Sequence, residues 1–416
     1  MKYYFVGIKG SGLSSISQVL YDLGHEVAGA DINQEMFTQK QLEHKNIKID
    51  SLDNMNYHDS DIIVVGNAFL NKYNFKDKTV ITYQDLLSQL NDMFYSIAIC
   101  GTHGKTTTTN MIKHVLGKFY DINYLVGDGH GKGNKEAKIF IYEACEHRDH
   151  FLSYHPNIIV CTNIDYDHVE YFDNKDQYFS SFTQFFSNCK ETLILNEDIN
   201  HKSSNSFSYG TKQAQLLANN IKYSENGTYF DLKYNKQTFE NIFLPLFGKH
   251  MLEDALATIA CCLKLNLTIQ EIINQLKTYK HASRRYNTQI IKNNVIIDDY
   301  GHHPKEIIST IEAIKQQFND KDLVIIFHPD RPKRLLTFLS EYKVAFNKSK
   351  QTYIMPFLNK GDEESYAISK IIDNDKIIEI SEGLYNKLYN NYVFLFTGSK
   401  EMKKEIEKLK RVLNNL

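Results

Sequence analysis

The 416-residue chain has no tryptophan, only six prolines and six cysteines, and 48 basic residues against 50 acidic ones, for a formal net charge of −2. Each scarcity removes a class of protein. Cys100, Cys145, Cys161, Cys189, Cys261 and Cys262 show no CxxC spacing and lie mostly in apolar runs, so neither a disulfide framework nor a zinc site is expected. Without a basic excess there is no electrostatic footprint for nucleic acid or an acidic membrane surface. No apolar run approaches the ~20 residues needed to span a bilayer, and the start Met1-Lys-Tyr-Tyr-Phe-Val enters a strand at once, leaving no room for a secretory signal. These absences predict a soluble, cytoplasmic protein that handles small molecules, as a monomer or homodimer.

The length admits two or three domains, and the apolar pattern predicts three α/β domains in series, at 1–94, 95–282 and 283–416. The first opens with a strand at 2–8, a glycine-rich turn, a helix to about Leu23 and a second strand, Glu26–Asp31. Gly10, Ser11 and Gly12 in that turn, with Asp31 about ~20 residues on, have the form of a dinucleotide-fold opening. In the second domain, apolar runs at Tyr95–Cys100, Ile139–Ala144, Ile158–Thr162 and Thr192–Asn196 predict a parallel sheet. Short alternating runs over 205–243 predict antiparallel strands with a hairpin near Gly227, followed by helices over about 250–279. The third domain is expected to carry strands at Asn294–Asp299, Leu323–His328, Gln351–Met355 and Val393–Thr397, and a last helix over Lys400–Leu413.

The most informative segment is Gly101-Thr102-His103-Gly104-Lys105-Thr106-Thr107, set between an apolar strand and a segment of helical periodicity. Such a loop aims successive N–H groups at one anion, and the helix dipole adds positive potential at the same point. Lys105 then reaches the terminal phosphates and the Thr106 hydroxyl is placed for Mg²⁺. Glu143 ends the next strand and His168 follows another, so Thr106, Glu143 and His168 form the expected metal set, with Glu146 as a second carboxylate. Asp298-Asp299-Tyr300-Gly301-His302-His303 packs two acids and two imidazoles into a strand-to-helix turn that suits metal ligands, acid/base groups or caps alike. Arg284 and Arg285 suit a phosphate or carboxylate. The basic turn Asp330-Arg331-Pro-Lys333-Arg334 fits a solvated face as readily as a carboxylate grip.

Gly101 to Thr108 resembles the ATP loop of the Mur ligases. Gly7–Ser14, Val126–Gly133, Glu143–Phe151, Thr162–His168 and Asp298–Pro304 are similar to segments of the alanine-adding branch of that family, in the same order. The resemblance implies an N-terminal Rossmann-like domain for a UDP-sugar, a central ATPase domain with a parallel sheet and small antiparallel strands, and a C-terminal Rossmann-like domain. It further implies an ATP- and Mg²⁺-dependent ligase that joins L-alanine to the lactyl carboxylate of UDP-N-acetylmuramate through an acyl phosphate, in peptidoglycan precursor synthesis.

Carried over, Gly10, Ser11, Gly12 and Asp31 would bind the UDP-sugar, and Gly101 to Thr107 the ATP. Lys105, Glu143, His168, Arg285, Asp299, His302, Arg331 and Arg334 would form the catalytic set. The chain departs from the family where Met251 and Asp254 replace two asparagines, and where Thr397-Gly-Ser-Lys400 replaces Gly-Ala-Gly-Asp. These departures admit another amino acid or acceptor, or a nucleotide-sugar-binding paralogue that does not ligate.

Overall fold

In the computed structural model the described residues are 1–59, 61–75, 77–282, 284–359, 361–373, 375–387 and 389–415. Ser283, where the third domain was expected to begin, lies outside them. Two compact units result: one comprises Met1–Asp165, Asp176–Leu217 and Asp254–Tyr279, the other Tyr166–Lys175, Ala218–Glu253 and the chain from Lys280 onward.

The first unit contains two sheets. Strands β1 (Lys2–Val6), β2 (Glu26–Asp31), β3 (Lys48–Ser51), β4 (Ile62–Val65) and β5 (Thr79–Thr82) pair in the parallel order β3-β2-β1-β4-β5. The order reverses between β1 and β4, and the glycine turn after β1 enters helix α1 (Ser11–Asp22) at that switch point, where open α/β sheets take ligands. Helices α2 (Gln39–His44) and α3 (Tyr83–Met93) complete this layer, α3 being started by a capping box between Thr82 and Asp85.

The second sheet is built from β6 (Tyr95–Cys100), β7 (Ile122–Leu125), β8 (Gly131–Lys132), β9 (Ile139–Glu143), β10 (Ile158–Cys161), β11 (Thr192–Asn196) and β12 (Ser206–Gly210), in the order β12-β11-β10-β6-β9-β7-β8. All pairs are parallel except β7 with β8. Helix α4 (Lys105–Leu116) follows β6, and α5 (Lys175–Ser187) precedes β11.

The antiparallel expectation over 205–243 holds only in its second half. β12 joins β11 in parallel, and its last residues pair in parallel with Leu216 and Leu217 of β13 (Leu216–Ser224). The turn between β12 and β13 is drawn in by Glu197, whose carboxylate accepts the main-chain N–H groups of Thr211, Lys212 and Gln213 at 2.6, 2.8 and 2.5 Å. Apolar alternation carries no signal for such a turn.

In the second unit β14 (Gly227–Tyr234) and β15 (Gln237–Leu244) form the expected hairpin. Helix α6 (Lys249–Lys264) runs from the second unit into the first and is followed by α7 (Ile269–Leu276). The last sheet joins β16 (Asn287–Ile291), β17 (Asn294–Asp299), β18 (Asp322–Phe327), β19 (Gln351–Ile354), β20 (Ile377–Glu379) and β21 (Tyr392–Thr397) in the order β16-β17-β21-β18-β19-β20, with β16 antiparallel to β17. Its helices are α8 (Pro304–Gln317), α9 (Pro332–Thr337), α10 (Leu339–Phe346), α11 (Asp362–Ile371) and α12 (Lys403–Asn415).

The central strands of this sheet read as unbroken apolar runs because both faces are covered. Val295, Ile297, Ile325, Phe327 and Leu395 pack with Ile307, Ile311, Phe346 and Ala367 on one side. Ile296, Val324, Ile326, Phe394 and Phe396 pack with Ile406, Leu409 and Leu413 of α12 on the other. Among the described residues no helix is long and apolar enough to cross a membrane.

Candidate active site

The loop from Gly101 to Lys105 is shaped by two glycines that no other residue replaces. Gly101 has φ +131° and its missing Cβ would strike the Thr162 hydroxyl, while Gly104 has φ +81° and would strike the Asp254 carboxylate. The loop is pinned from β10's exit. The Thr162 hydroxyl and the Asn163 amide donate to the His103 carbonyl at 2.5 and 3.0 Å, and the His103 N–H donates to Asn163 Oδ1 at 2.9 Å. Helix α4 then begins at Gly104 without a side-chain cap, so the positive end of its dipole is turned toward whatever occupies the loop.

Lys105 lies along that loop. Its Nζ donates to Glu146 Oε2 and Oε1 at 2.9 and 3.2 Å, to the Thr102 carbonyl at 3.2 Å and to the Gly101 carbonyl. Burial pulls the ammonium's pKa down, but the Glu146 carboxylate outweighs it, and the net shift is upward. Lys105 is therefore a fixed cation. Glu146, expected as a second metal carboxylate, is instead its counter-ion, buried to 1% exposure.

Glu143 lies beside the start of α4. Its Oε1 accepts the Gly127 N–H at 2.6 Å and its Oε2 accepts the Thr106 hydroxyl at 3.2 Å. Hydroxyl, carboxylate, lysine and uncapped helix terminus make a donor set that fits a nucleotide phosphate with a hard cation. Sequence reasoning missed Asp254 as a neighbour of this loop, where its Oδ1 accepts from Thr108 Oγ1 at 3.1 Å. Met251 is buried at 4% exposure.

The same unit explains the glycines at 126–133. The Ser15 hydroxyl and the Gln18 amide of α1 donate to the Val126 and Gly129 carbonyls at 2.9 and 2.8 Å, and a Cβ on Gly131 would collide with the Ser15 backbone. Close approach of α1 fixes Gly10, Ser11 and Gly12 on the same body as the phosphate loop. Gly12 faces the Tyr83 ring, which a Cβ there would approach to 3.0 Å. Asp31, expected to bind the UDP-sugar, lies at the end of β2. Its two oxygens receive the Lys9 and Ile32 N–H groups at 2.6 and 2.7 Å, so it organises the strand end beside a cavity of about 270 Å³.

In the second unit several residues expected in the catalytic set have partners within that unit. Asp299 accepts from the Tyr286 N–H at 2.9 Å, the Gly301 N–H at 3.0 Å and the Thr310 hydroxyl at 3.1 Å, which makes it the organiser of the 299–304 turn. His303 caps α8, and the His302 N–H is held by Glu306 at 2.9 Å, with the His302 pKa lowered by burial. Arg284 donates to the Gly398, Ser399 and Lys400 carbonyls at 2.7, 3.0 and 2.8 Å, and Arg285 lies 4.8 Å over the Tyr300 ring. Arg334, expected to meet a substrate carboxylate, is buried in a two-pronged pair with Asp167 at 2.9 and 3.1 Å. Arg331 is more exposed and pairs with Glu170. His168 belongs to this second unit, and Thr106 and Glu143 to the first.

An α/β chain whose phosphate loop clamps a lysine beside a hydroxyl–carboxylate pair has the form of a nucleotide-dependent phosphoryl-transfer enzyme. Models of the Mur ligase family, catalytic domain, of the Mur ligase middle domain and of the Mur ligase glutamate ligase domain match residues 2–95, 99–262 and 284–388. The chain belongs to the Mur ligase family and is an ATP-dependent ligase that forms amide bonds.

The fold is similar to that of the UDP-N-acetylmuramate–alanine ligase MurC of Thermotoga maritima, with a TM-score of 0.80 at 23% identity over 100% of this chain and 99% of that one. It is also similar to the murein peptide ligase Mpl of Psychrobacter arcticus, with a TM-score of 0.72 at 18% identity over 100% and 99%. A third likeness is to MurF of Thermotoga maritima in complex with ADP, with a TM-score of 0.68 at 17% identity over 94% and 95%.

Proposed function

We propose that the chain joins L-alanine to the lactyl carboxylate of UDP-N-acetylmuramate in the cytoplasm, with ATP and Mg²⁺, as a step of peptidoglycan precursor synthesis. The observation that carries the reading is the fixed Lys105 beside the Thr106–Glu143 pair. The end-to-end likeness to an alanine-adding ligase supports the choice of substrates. Domains at 1–94, 95–282 and 283–416 would divide UDP-sugar binding, nucleotide binding and amino-acid delivery.

When bound, MgATP would supply the γ-phosphoryl group that activates the carboxylate, so that phosphate rather than oxide leaves when the amine attacks the acyl carbon. The chain's own contribution is positional and electrostatic. Main-chain N–H groups at the start of α4 orient the phosphates, Lys105 balances charge as it moves between oxygens, and Thr106 with Glu143 holds the cation. Gly10, Ser11 and Gly12 would hold the pyrophosphate of the UDP-sugar on the body that carries the loop.

The departures at Asp254 and Lys400, and the withdrawal of Arg334 into an ion pair, favour a second reading with another amino acid or acceptor. Phosphate release with MgATP and UDP-N-acetylmuramate, scanned over single amino acids with a mass check for product, separates them. Product with L-alanine alone is expected. Product with another amino acid selects the second reading, and silence with every amino acid from folded protein removes the first reading and leaves another acceptor or a lost activity.

A further inference from the structure

The chain from Tyr166 to Lys175 leaves β10 and returns into α5, yet it packs as part of the second unit. Three of its side chains fasten it to the stretch 330–338. The Tyr166 ring meets the Phe338 ring edge-on at 6.4 Å, Asp167 takes both prongs of Arg334, and Glu170 pairs with Arg331. Asp330 receives the remaining Arg334 nitrogen at 3.1 Å.

Inside the segment the Tyr166 hydroxyl donates to the Phe172 carbonyl at 2.7 Å, and the Tyr171 and Phe172 N–H groups donate to the His168 carbonyl at 2.8 and 3.1 Å. His168 stands at φ +50°, a left-handed conformation that a histidine holds only where its surroundings impose it. Side-chain exposures of 3% for Arg334 and 7% for Asp167 put the pair out of reach of a substrate carboxylate. A bidentate guanidinium–carboxylate pair of this kind fixes angle as well as distance.

We propose that Tyr166–Phe172 is a strap and that Asp167 and Arg334 are its positioning residues: they set His168 for the reaction and do not themselves bind the amino acid or the reacting carboxylate. This rests on the ligase reading for its kinetic consequence, but not for its structural one. If both residues serve one function, removing either gives the same phenotype, and removing both gives little more.

The test uses the full chain carrying Asp167→Asn, Arg334→Lys, the double variant, and the exchange Asp167→Arg with Arg334→Asp. Hydrogen exchange of the 166–175 peptide, measured without nucleotide or metal, is expected to quicken at least about tenfold in each single variant. In turnover, kcat is expected to fall and the Mg²⁺ requirement to rise equally in both singles. The KM for the amino acid should stay within about twofold, because uniform substrate binding is untouched.

A raised amino-acid KM in Arg334→Lys alone, with strap exchange unchanged, overturns the proposal and returns Arg334 to substrate binding. If the buried variants do not fold, Glu170→Gln, which loosens the more exposed clamp with Arg331 and the contact of Glu170 with the His168 ring, must still quicken exchange of the strap, and unchanged exchange there also overturns it. A wild-type protein that releases no phosphate with any acceptor refutes the ligase reading while the exchange result stands by itself.

Discussion

At the scale of single residues, Lys105, proposed above as the catalytic cation, is also half of a structural ion pair with Glu146. Glu146 is buried and its charge is answered by Lys105. Removing one member of a buried pair leaves an uncompensated charge, at about 3–5 kcal/mol. Lys105→Ala is therefore expected to abolish phosphate release and to lower thermal stability by that order. Adding Glu146→Gln should restore most of the stability and none of the activity, which calorimetry and a phosphate assay on the two proteins would show. Equal stability of wild type and Lys105→Ala would contradict the pairing. That the lysine, the threonine and Glu143 lie around one strand-to-helix turn was legible in the sequence, because strand ends and loop chemistry act at short range. Glu146 as counter-ion and Arg334 as partner of Asp167 were not, since both pairings depend on which distant turn a side chain meets.

At the scale of elements, the seam between α1 and the 126–133 segment depends on an absent side chain. Gly131 lies against the Ser15 backbone, and a methyl group there has no flexible neighbour to displace. Overpacking of this kind costs about 1–3 kcal/mol. Gly131→Ala is expected to lower the unfolding midpoint and to weaken binding of the UDP-sugar more than binding of ATP, by moving the Gly10–Gly12 turn and sparing Gly101–Thr107. Equal losses for both ligands in titration calorimetry would refute this division. The sequence located β1, β2, β6, β9, β10, β11, β17, β18, β19 and β21 to within a residue or two. It missed β3, β7, β8, β16 and β20, which are short and whose pairing is decided by the sheet edge they join.

At the scale of the whole molecule, acid acts through histidines held neutral by burial, several of them in the second unit. Burial of the His250 ring drives its pKa from 6.5 down to about 4, against the opposing pull of Asp299. His281 and His302 shift downward for the same reason. The sign is fixed by comparing states: the unfolded chain takes up protons near pH 6.5, while the folded one resists until about pH 4. Stability is thus complete above the unfolded value and drains away as pH falls through this window, with His250 accounting for about 2 kcal/mol by pH 5. Asp167, whose carboxyl is held low by Arg334 against the cost of burial, adds a further loss at lower pH. Unfolding midpoints between pH 7.5 and 5 should decline and should decline less in His250→Gln. A flat profile in the wild type would exclude this account.

The sequence by itself determined the three α/β domains, the phosphate loop and the order of chemistry-bearing turns at strand ends. All of these follow from hydrophobic period and from backbone requirements that act within a few residues. Tertiary structure decided which charged side chains are free to act and which are bound to each other. The reason is that an ion pair is made between groups brought together by topology, as Asp167 and Arg334 are from 167 positions apart. No local pattern in the sequence records that meeting.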